Sequence, residues 1–492
     1  MAKVFFKSHN KEVECEVGEK LLDVARKADI FIDAPCNGNQ SCGKCKVKAT
    51  NRIIEVNHDD LKLLTKKELD QGYRLACSHL YHQGDRFILP QADGVIEDSI
   101  YLNDTVVITE PVEKVGIIID IGTTTVAMKW LNLKSGMIIE SQSFFNPQGK
   151  FGSDVIARID FDNRDNDHKL GELIIKEIFS RINVSTKIKE ILVCGNATMI
   201  NLFLKEKVKT IGVSPFDVPI LTMTEYPLNY FIKSSVKIEV MTMNHISAYV
   251  GSDIVMGIYA TNMDKNKENV LLMDLGTNGE MVIGNKHRLL ATSCPAGPAF
   301  EGVNIECGGP SIAGAVCATK VENNKLVYKT IDNQDANSIC GSGLISLIAN
   351  LLRLGIIDDT GNFLNKQKKY YLNDEVYLSI KDIKAFMLAK AAIQAGKEVL
   401  LKELNEEVTT IYIAGGFGNY LEKADLVTLN IISSEEANKV QYIKNSAISG
   451  LYKLILTRDF QRVQHISNQT KVIYLEKDPD FNDYWIDAMV FS

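Results

Sequence analysis

Three cysteines within ten residues constrain the N-terminal part of this chain more than any other feature. Cys36, Cys42 and Cys45 are followed by Cys77, in the spacing C-x5-C-x2-C-x31-C. Four thiolates in a three-plus-one grouping are the usual ligands of a 2Fe-2S cluster. Glycine beside the ligands, as at Gly43, lets the loop turn sharply and bring backbone N–H groups towards the sulfurs. The spacing therefore predicts a 2Fe-2S site with these four cysteines as its metal ligands.

Three other uses of cysteine fit this spacing less well. A disulfide framework belongs to an oxidising compartment, and structural zinc usually shows two short cysteine pairs where this stretch has one. The Cys77-Ser-His79 step suggests half of a Rieske site, which would need a second histidine arm. His79 and His82 are therefore predicted to be surface neighbours of the cluster and not its ligands.

The first 85 residues carry the pattern of a small module built around the cysteine loop. The predicted elements are strands at Lys3–Lys7, Glu12–Val17, Lys46–Thr50 and Arg52–Val56, helices at Leu21–Ala28 and Leu61–Leu69, and a hairpin turn at 9–11. Together with the Arg-Leu-Ala-Cys ending at Cys77, this pattern resembles a 2Fe-2S ferredoxin. The resemblance implies an α+β module of the β-grasp kind over residues 1–85, followed by a linker at 86–113.

Beyond the linker, one strand–turn–strand device occurs twice. Val115–Ile119 runs into Asp120-Ile-Gly-Thr-Thr, and Val270–Met273 runs into Asp274-Leu-Gly-Thr-Asn, with the two aspartates 154 positions apart (274 − 120). A single Asp-x-Gly-Thr is most often an ordinary turn, but two copies in matching strands predict two related lobes that face each other.

The chemistry of these turns suits a nucleotide. Glycine permits close approach of a phosphate, successive backbone N–H groups form an anion-binding concavity, and threonine hydroxyls add donors. Two carboxylates can hold Mg²⁺ through water, as this ion commonly requires. The residues predicted to bind ATP and Mg²⁺ here are Asp120, Gly122, Thr123, Thr124, Asp274, Gly276, Thr277 and Asn278.

Two glycine-rich turns further along the chain extend the predicted nucleotide site. A buried-type strand at 411–414 ends in Gly415-Gly416-Phe-Gly418, where the backbone can approach the nucleoside. Gly341 and Ser342 lie directly before a helix predicted over Leu344–Leu354, and small residues at a helix N-terminus favour anions. Neither a Walker A motif nor a Gly-x-Gly-x-x-Gly fingerprint is present, which excludes a P-loop ATPase and weakens a Rossmann interpretation.

This order of motifs resembles the ASKHA superfamily, which includes actin, sugar kinases and heat-shock chaperones. The resemblance covers about residues 114–475 and implies an α/β fold of two ribonuclease-H-like lobes with ATP between them. The first lobe is then assigned to residues 114–269, with the first phosphate motif. The second lobe is assigned to residues 270–492, with the second phosphate motif and the adenosine motif.

A ferredoxin joined to an ASKHA module is similar to the reductive activators of corrinoid proteins. Four further stretches carry this resemblance: Gly195–Met199, Asp274–Glu280, Gly297–Gly302 and Ile339–Leu344. The resemblance implies that a 2Fe-2S cluster passes one electron to inactive Co(II) of a corrinoid protein, with ATP, to regenerate Co(I) for methyl transfer. It also implies a corrinoid protein of a methyltransferase system as partner, an unidentified electron donor, and a possible homodimer through the ASKHA module. No catalytic residue is assigned.

Composition restricts the remaining possibilities. The chain has 492 residues, 45% of them apolar, and a net charge of −7. That charge argues against nucleic acid as a partner, because binding phosphates requires a basic face. No run of 18 apolar residues exists, so no membrane span is expected. Six scattered cysteines are predicted to be reduced and mostly buried, which favours the cytoplasm: Cys15, Cys194, Cys294, Cys307, Cys317 and Cys340.

Three other functions remain open. The first is an ATP-driven reductase of another low-potential target such as a dehydratase. The second is an ASKHA kinase with a redox sensor, for which Asp253 is the obvious candidate base, although a helix N-cap role is favoured for it. The third is a non-enzymatic scaffold gated by ATP. Structural salt bridges are predicted for Glu301, Lys390 and Lys397 in place of nucleotide contacts.

Overall fold

The backbone of the protein, given by a computed structural model, groups into two compact units. The structure describes residues 2–7, 11–16, 18–28, 30, 32, 34, 38–40, 43, 45–89, 113–152, 154–165, 167–415 and 421–492. The first unit comprises Met1–Gly94 with Pro147–Ile174, and the second comprises Val95–Asn146 with Ile175–Ser492. The four sequence-based domain bounds stay predictions.

The N-terminal part of the first unit is a five-stranded sheet with a helix packed on it. The strands are β1 (Ala2–Phe6), β2 (Lys11–Cys15), β3 (Lys46–Ala49), β4 (Tyr73–Leu75) and β5 (Arg86–Ile88), and the helices are α1 (Leu21–Lys27), α2 (His58–Leu63) and α3 (Lys66–Asp70). The sheet order is β2-β1-β5-β3-β4. Leu21, Leu22, Val24 and Ala25 of α1 are buried in the core of this module. The predicted hairpin turn at 9–11 lies mostly outside the described residues.

Two of the elements predicted here are wrong. Residues 52–56 form no strand, because this segment bonds to side chains and not to a neighbouring strand. Arg52 pairs with Asp85, and the Ile54 carbonyl accepts a hydrogen bond from the Arg74 guanidinium at 2.9 Å. The single helix predicted over Leu61–Leu69 is two short helices, α2 and α3. Asn57 begins α2 with a capping box, and residue 64 is extended before α3 starts.

The following part of the chain forms a six-stranded sheet and four helices. Its order is β10-β11-β9-β6-β7-β8, in which β6, β9 and β11 run parallel and β7 and β8 complete an antiparallel meander. The strands are β6 (Val115–Ile121), β7 (Thr125–Asn132), β8 (Ile138–Phe145), β9 (Ile188–Gly195), β10 (Thr224–Pro227) and β11 (Glu239–Thr242). The helices are α4 (Val155–Arg164), α5 (Lys169–Ser180), α6 (Ala197–Phe203) and α7 (Ser252–Thr261).

The C-terminal part repeats this arrangement. Its six-stranded sheet has the order β21-β20-β12-β13-β14-β22, with β12, β20 and β21 parallel and with β12, β13 and β14 as the meander. The strands of this sheet are β12 (Asn269–Leu275), β13 (Gly279–Asn285), β14 (Arg288–Cys294), β20 (Val408–Ala414), β21 (Val440–Tyr442) and β22 (Thr470–Val472). Two smaller sheets consist of β15 (Ala315–Glu322), β16 (Lys325–Thr330) and β17 (Ser338–Ile339), and of β18 (Lys369–Tyr371) and β19 (Tyr377–Ser379). The helices are α8 (Gly341–Arg353), α9 (Ile380–Leu404), α10 (Lys423–Thr428), α11 (Ser446–Thr457), α12 (Phe460–Gln469) and α13 (Phe481–Asp487).

The matching sheets confirm the predicted α/β class with two related lobes. In each sheet the repeated motif occupies the first hairpin of the meander, β6–β7 or β12–β13. Helices α7 and α11 pack in one apolar core with residues of both β6 and β12, such as Ile118 and Leu272. The two lobes therefore share an apolar core to which two helices contribute.

Five of the six scattered cysteines are buried, as predicted, and Cys307 is partly exposed. Among the helices of the described ranges, none combines the length and the apolar character needed to cross a bilayer.

Candidate functional site

Two of the four predicted cluster ligands lie in the described part of the chain, on segments that neighbour each other. The pairing of Lys46 with Leu75 places Cys45, just before β3, next to the end of β4, and the Ala76 N–H donates to the Cys45 carbonyl at 2.8 Å. The thiols of Cys45 and Cys77 are buried and unbridged. Gly43 turns the loop with φ +68°. The pair fits cluster ligation, whereas Cys36 and Cys42 fall outside the described residues.

A buried carboxylate supports the segment that carries Cys77. Asp60 accepts the backbone N–H of Leu75 at 2.9 Å and of Asn57 at 3.1 Å. His79 contacts the same carboxylate through Nε2 at 2.6 Å, so it is a partly buried partner of Asp60, in contrast to the predicted surface position. Burial acts to raise the pKa of Asp60, but the hydrogen bonds from His79, Leu75 and Asn57 hold it below its usual value.

Replacing Asp60 by asparagine is expected to destabilise the ferredoxin module by about 1–3 kcal/mol, because an amide N–H would face a backbone donor without a partner. Denaturant unfolding of the full chain, followed by loss of the cluster absorbance, measures the change. Asp59→Asn on the same helix is the matched control, since that side chain lies at the surface with 29% exposure. Equal stability of the two variants would contradict the supporting role.

The two Asp-x-Gly-Thr turns meet in the second unit. Each turn is closed by its own backbone, from Gly122 N–H to the Thr125 carbonyl and from Gly276 N–H to the Asn278 carbonyl, both at 3.0 Å. The hydroxyl oxygens of Thr124 and Thr277 are 3.4 Å apart. The structure therefore brings together two motifs 154 positions apart (274 − 120) at one place, where their N–H groups and hydroxyls can converge on a phosphate.

Glu301 lies between these turns, which the sequence did not predict. Its Oε2 accepts from Thr124 at 2.9 Å and from Thr277 at 2.6 Å. Of the two lysines grouped with it, Lys397 forms the predicted salt bridge, with Glu436 at 2.8 Å. The salt bridge predicted for Lys390 is wrong, because its ammonium donates to the Val490 carbonyl.

The two repeated aspartates are oriented by the start of α11. Asn445 donates to Asp120 at 2.7 Å, and Ser446 donates to Asp274 at 3.3 Å. Shielding from water raises the pKa of Asp120 to about 7, and the charge of Asp274 adds to this effect. Shielding also raises the pKa of Asp274 to about 6, with a contribution from the charge of Glu301.

The charges of this pair also affect the pKa values of two further carboxylates. Burial and the charges of Asp120 and Asp274 raise the pKa of Asp253, and burial with the charges of Asp253 and Asp274 raises that of Glu280. The four carboxylates, which we call the acidic cluster, are Asp120, Asp253, Asp274 and Glu280. Within the described ranges, no lysine or arginine forms an ion pair with any of them. A bound cation would neutralise the negative charge of these four carboxylates.

The predicted N-cap role of Asp253 is wrong. Gly251 is the N-cap of α7, and Asp253 lies within the first turn, where its carboxylate accepts the N–H of the following Ile254 at 2.9 Å. Over the described residues, no three His, Cys, Asp or Glu side chains converge closely enough to ligate one metal ion. A cation at the acidic cluster would therefore be held largely through water, as Mg²⁺ commonly is.

The predicted nucleoside side of the site is described in part. A side chain at Gly341 would come within 1.9 Å of the Phe300 carbonyl, so glycine is required where α8 begins. The Ser342 hydroxyl is buried and donates to the Cys317 carbonyl at 2.9 Å, which fixes α8 to β15. Gly415 lies directly after the strand β20, whereas Gly416 and Gly418 lie in the undescribed stretch 416–420. The nucleotide roles of these residues stay predictions.

Several residues of the site escaped the sequence reasoning. Asn196 donates to the Thr123 hydroxyl at 3.0 Å, and it caps α6 through the Met199 N–H. Asn445 is likewise an N-cap that reaches Asp120. An N-cap signal was visible at both positions, but only the folded chain shows which aspartate or threonine each amide contacts.

The fold and the site define a class: a ferredoxin-type domain joined to two related lobes in which the paired Asp-x-Gly-Thr turns meet. Family models match the chain as the 2Fe-2S iron-sulfur cluster binding domain over residues 4–81, the RACo middle region over 115–266, and the C-terminal domain of RACo, the ASKHA domain, over 268–492. The chain belongs to the RACo family of corrinoid activators.

Individual relatives agree with this membership. The corrinoid activation enzyme RamQ of Eubacterium limosum is 30% identical over 422 residues, which cover 77% of this chain and 70% of the relative. The Co(II) methylated amine-specific corrinoid protein reductase of Methanosarcina barkeri is 24% identical over 386 residues, 70% of each chain. A solved structure, the reductive activator for corrinoid, iron-sulfur protein, matches 100% of this chain and 98% of its own with a TM-score of 0.71 and 26% identity.

Proposed function

We propose that this protein carries out ATP-dependent reductive activation of a corrinoid protein, returning inactive Co(II) to Co(I) for methyl transfer. The observation that carries the proposal is the convergence of the paired turns, Thr124 against Thr277, in a chain that also holds the cysteine pair Cys45 and Cys77. The names of the relatives support the same conclusion, since both describe enzymes that act on corrinoid proteins.

The proposal gives the residues of this chain two tasks. When bound, the cluster supplies a single low-potential electron, and the chain holds it through Cys36, Cys42, Cys45 and Cys77. Asp120 and Asp274 hold Mg²⁺ through water and position the phosphates of ATP. The remaining proposed contacts to ATP are Gly122, Thr123, Thr124, Gly276, Thr277, Asn278, Gly341, Ser342, Gly415, Gly416 and Gly418.

Helices α7 and α11 offer a path from ATP to the partner. Both pack against residues of the two sheets, and α11 begins with Asn445 and Ser446, which contact Asp120 and Asp274. A change at the turns can therefore alter the angle between the lobes. ATP can favour corrinoid reduction only if the two conformations bind the partner differently. We propose that the closed form binds the corrinoid protein with its cobalt more easily reduced.

The partners follow from this chemistry. They are a corrinoid protein of a methyltransferase system and a separate electron donor for the cluster, with a homodimer through the ASKHA module as the proposed assembly. The cytoplasm is the compartment that suits free thiols and such partners.

An anaerobic absorbance experiment tests the proposal. The full chain, a reductant and a corrinoid protein from a methyltransferase system are mixed with and without Mg-ATP. We expect a Co(I) signal to grow only when ATP is present. If the cluster is reduced but Co(II) persists with every corrinoid protein tried, the target is another low-potential acceptor, such as a dehydratase.

A further inference from the structure

We propose that Glu301 is the catalytic base that activates water for hydrolysis of the terminal phosphate of ATP. This inference rests on the proposed function, because it requires ATP to bind between the paired turns. It is carried by the contacts of the carboxylate, by its access to water and by the rigidity of its backbone.

The contacts of Glu301 connect it to both repeats. Its Oε2 accepts from Thr124 at 2.9 Å and from Thr277 at 2.6 Å, and these are hydroxyls proposed to bind phosphate. Each hydroxyl has one proton to donate. When that proton turns to a phosphate oxygen, Glu301 loses this hydrogen bond. Its Oε2 can then accept a hydrogen bond from another donor.

Water is the donor that fits. The threonine oxygens lie 2.9 and 2.6 Å from Oε2, and a phosphate oxygen that accepts from one of them would lie about 2.7 Å from it, which separates that phosphate oxygen from Oε2 by about 4 to 5 Å. A phosphate oxygen bound to Thr124 or Thr277 thus leaves a gap next to Glu301 that accommodates one water. Glu301 is only partly buried, so water can reach it. A base must lie within hydrogen-bond reach of the proton it removes, and this position satisfies that requirement.

The backbone that carries Glu301 is held firmly. The preceding Phe300 is fully buried, with its ring 5.1 Å from that of Phe386 on α9. The following Gly302 donates its N–H to the Ala299 carbonyl at 3.0 Å. The start of α8 at Gly341 abuts the Phe300 carbonyl. A catalytic group supported in this way keeps its position without reorganisation when substrate binds.

The acidic cluster is arranged for a different task. Asp120 and Asp274 are held by Asn445 and Ser446, and their charges act on Asp253 and Glu280. Those four carboxylates suit a cation. Glu301 differs from them because hydroxyls from the two phosphate turns are its partners, which places it beside the phosphate to be cleaved.

The water oxygen forms a bond to the terminal phosphorus while the bond from that phosphorus to the bridging oxygen breaks, leaving the electron pair on ADP. One water proton passes to the Glu301 carboxylate, and the carboxyl group returns it to solvent after phosphate leaves.

The test compares Glu301→Gln with the wild-type full chain. Calorimetry measures the affinity for Mg-ATP, and phosphate release measures turnover. We expect kcat to fall by about 10²- to 10⁴-fold, the usual contribution of a general base, while the Kd for ATP stays within about threefold. Glu306→Gln is the matched control, because that carboxylate bonds Tyr377 and Ser379 away from the turns and its loss should leave kcat unchanged.

The outcomes separate this inference from the proposed function. A wild-type chain that neither binds nor hydrolyses ATP overturns the proposed function itself. The role of Glu301 as a base is overturned if the wild-type chain hydrolyses ATP and the Glu301→Gln variant binds ATP equally or more tightly and turns over at the same rate. Glu301 would then be a residue that only connects the two turns through hydrogen bonds. Should Glu301→Gln fail to fold, Glu301→Asp, which keeps a carboxylate one methylene further back, must show the same split between lost kcat and retained Kd.

Discussion

Replacing Cys77 by alanine is expected to abolish electron transfer to the corrinoid protein while leaving ATP binding intact. Cys77 lies two positions after the end of β4, and the β3–β4 pairing brings this end of β4 next to the segment that carries Cys45. Without Cys77, three of the four proposed thiolates would remain to hold a cluster that is normally held by four. The proposed ATP residues described here lie in the second unit and should be unaffected.

Three measurements check this expectation: iron and sulfide content, the visible absorbance of the reduced and oxidised protein, and the growth of Co(I) with ATP. Cys15→Ala is the matched control, since it removes a buried thiol from the core of the same module but outside the ligand spacing. It should keep the cluster and the activity. A Cys77→Ala variant that still forms Co(I) at the wild-type rate would mean that Cys77 is not a ligand.

The sequence was informative where chemistry is encoded by local spacing. The repeated turns gave the two-lobed fold because a strand, an aspartate, a glycine and a threonine recur together, and the structure places both copies in matching hairpins. Glu301 lacked such a signal. It lies in a short turn within a glycine-rich segment, and its role depends on Thr124, which is 177 positions away.

Short elements were harder to predict for a related reason. Residues 52–56 have the alternation of a strand, yet the Arg74 guanidinium takes the Ile54 carbonyl that a neighbouring strand would need. The same holds for Asp253, whose position before an apolar helix favoured a cap, while its actual surroundings are the other carboxylates of the cleft. In both cases a contact distant in sequence overrides the local pattern.

Stability without a bound cation is expected to fall as pH rises, because of the acidic cluster. In the folded protein the pKa of Asp120 is about 7 and that of Asp274 about 6, against a usual value of 3.8 for each. Between these values the folded chain binds more protons than the unfolded chain, so the free energy of unfolding decreases with increasing pH. The stabilising contribution is complete below about pH 4 and is lost as pH passes through 6 and 7.

Thermal unfolding of the full chain at pH 6 and pH 8 measures this dependence. With a chelator present, Tm should be lower at pH 8, and excess Mg²⁺ should raise Tm more at pH 8 than at pH 6, because a cation binds the ionised cluster best. Asp253→Asn is the diagnostic variant: removing one mutually repelling charge should reduce both the pH dependence and the Mg²⁺ effect. A pH dependence that neither Mg²⁺ nor this variant alters would place its origin outside the acidic cluster, and the cation would then have to be held by other groups.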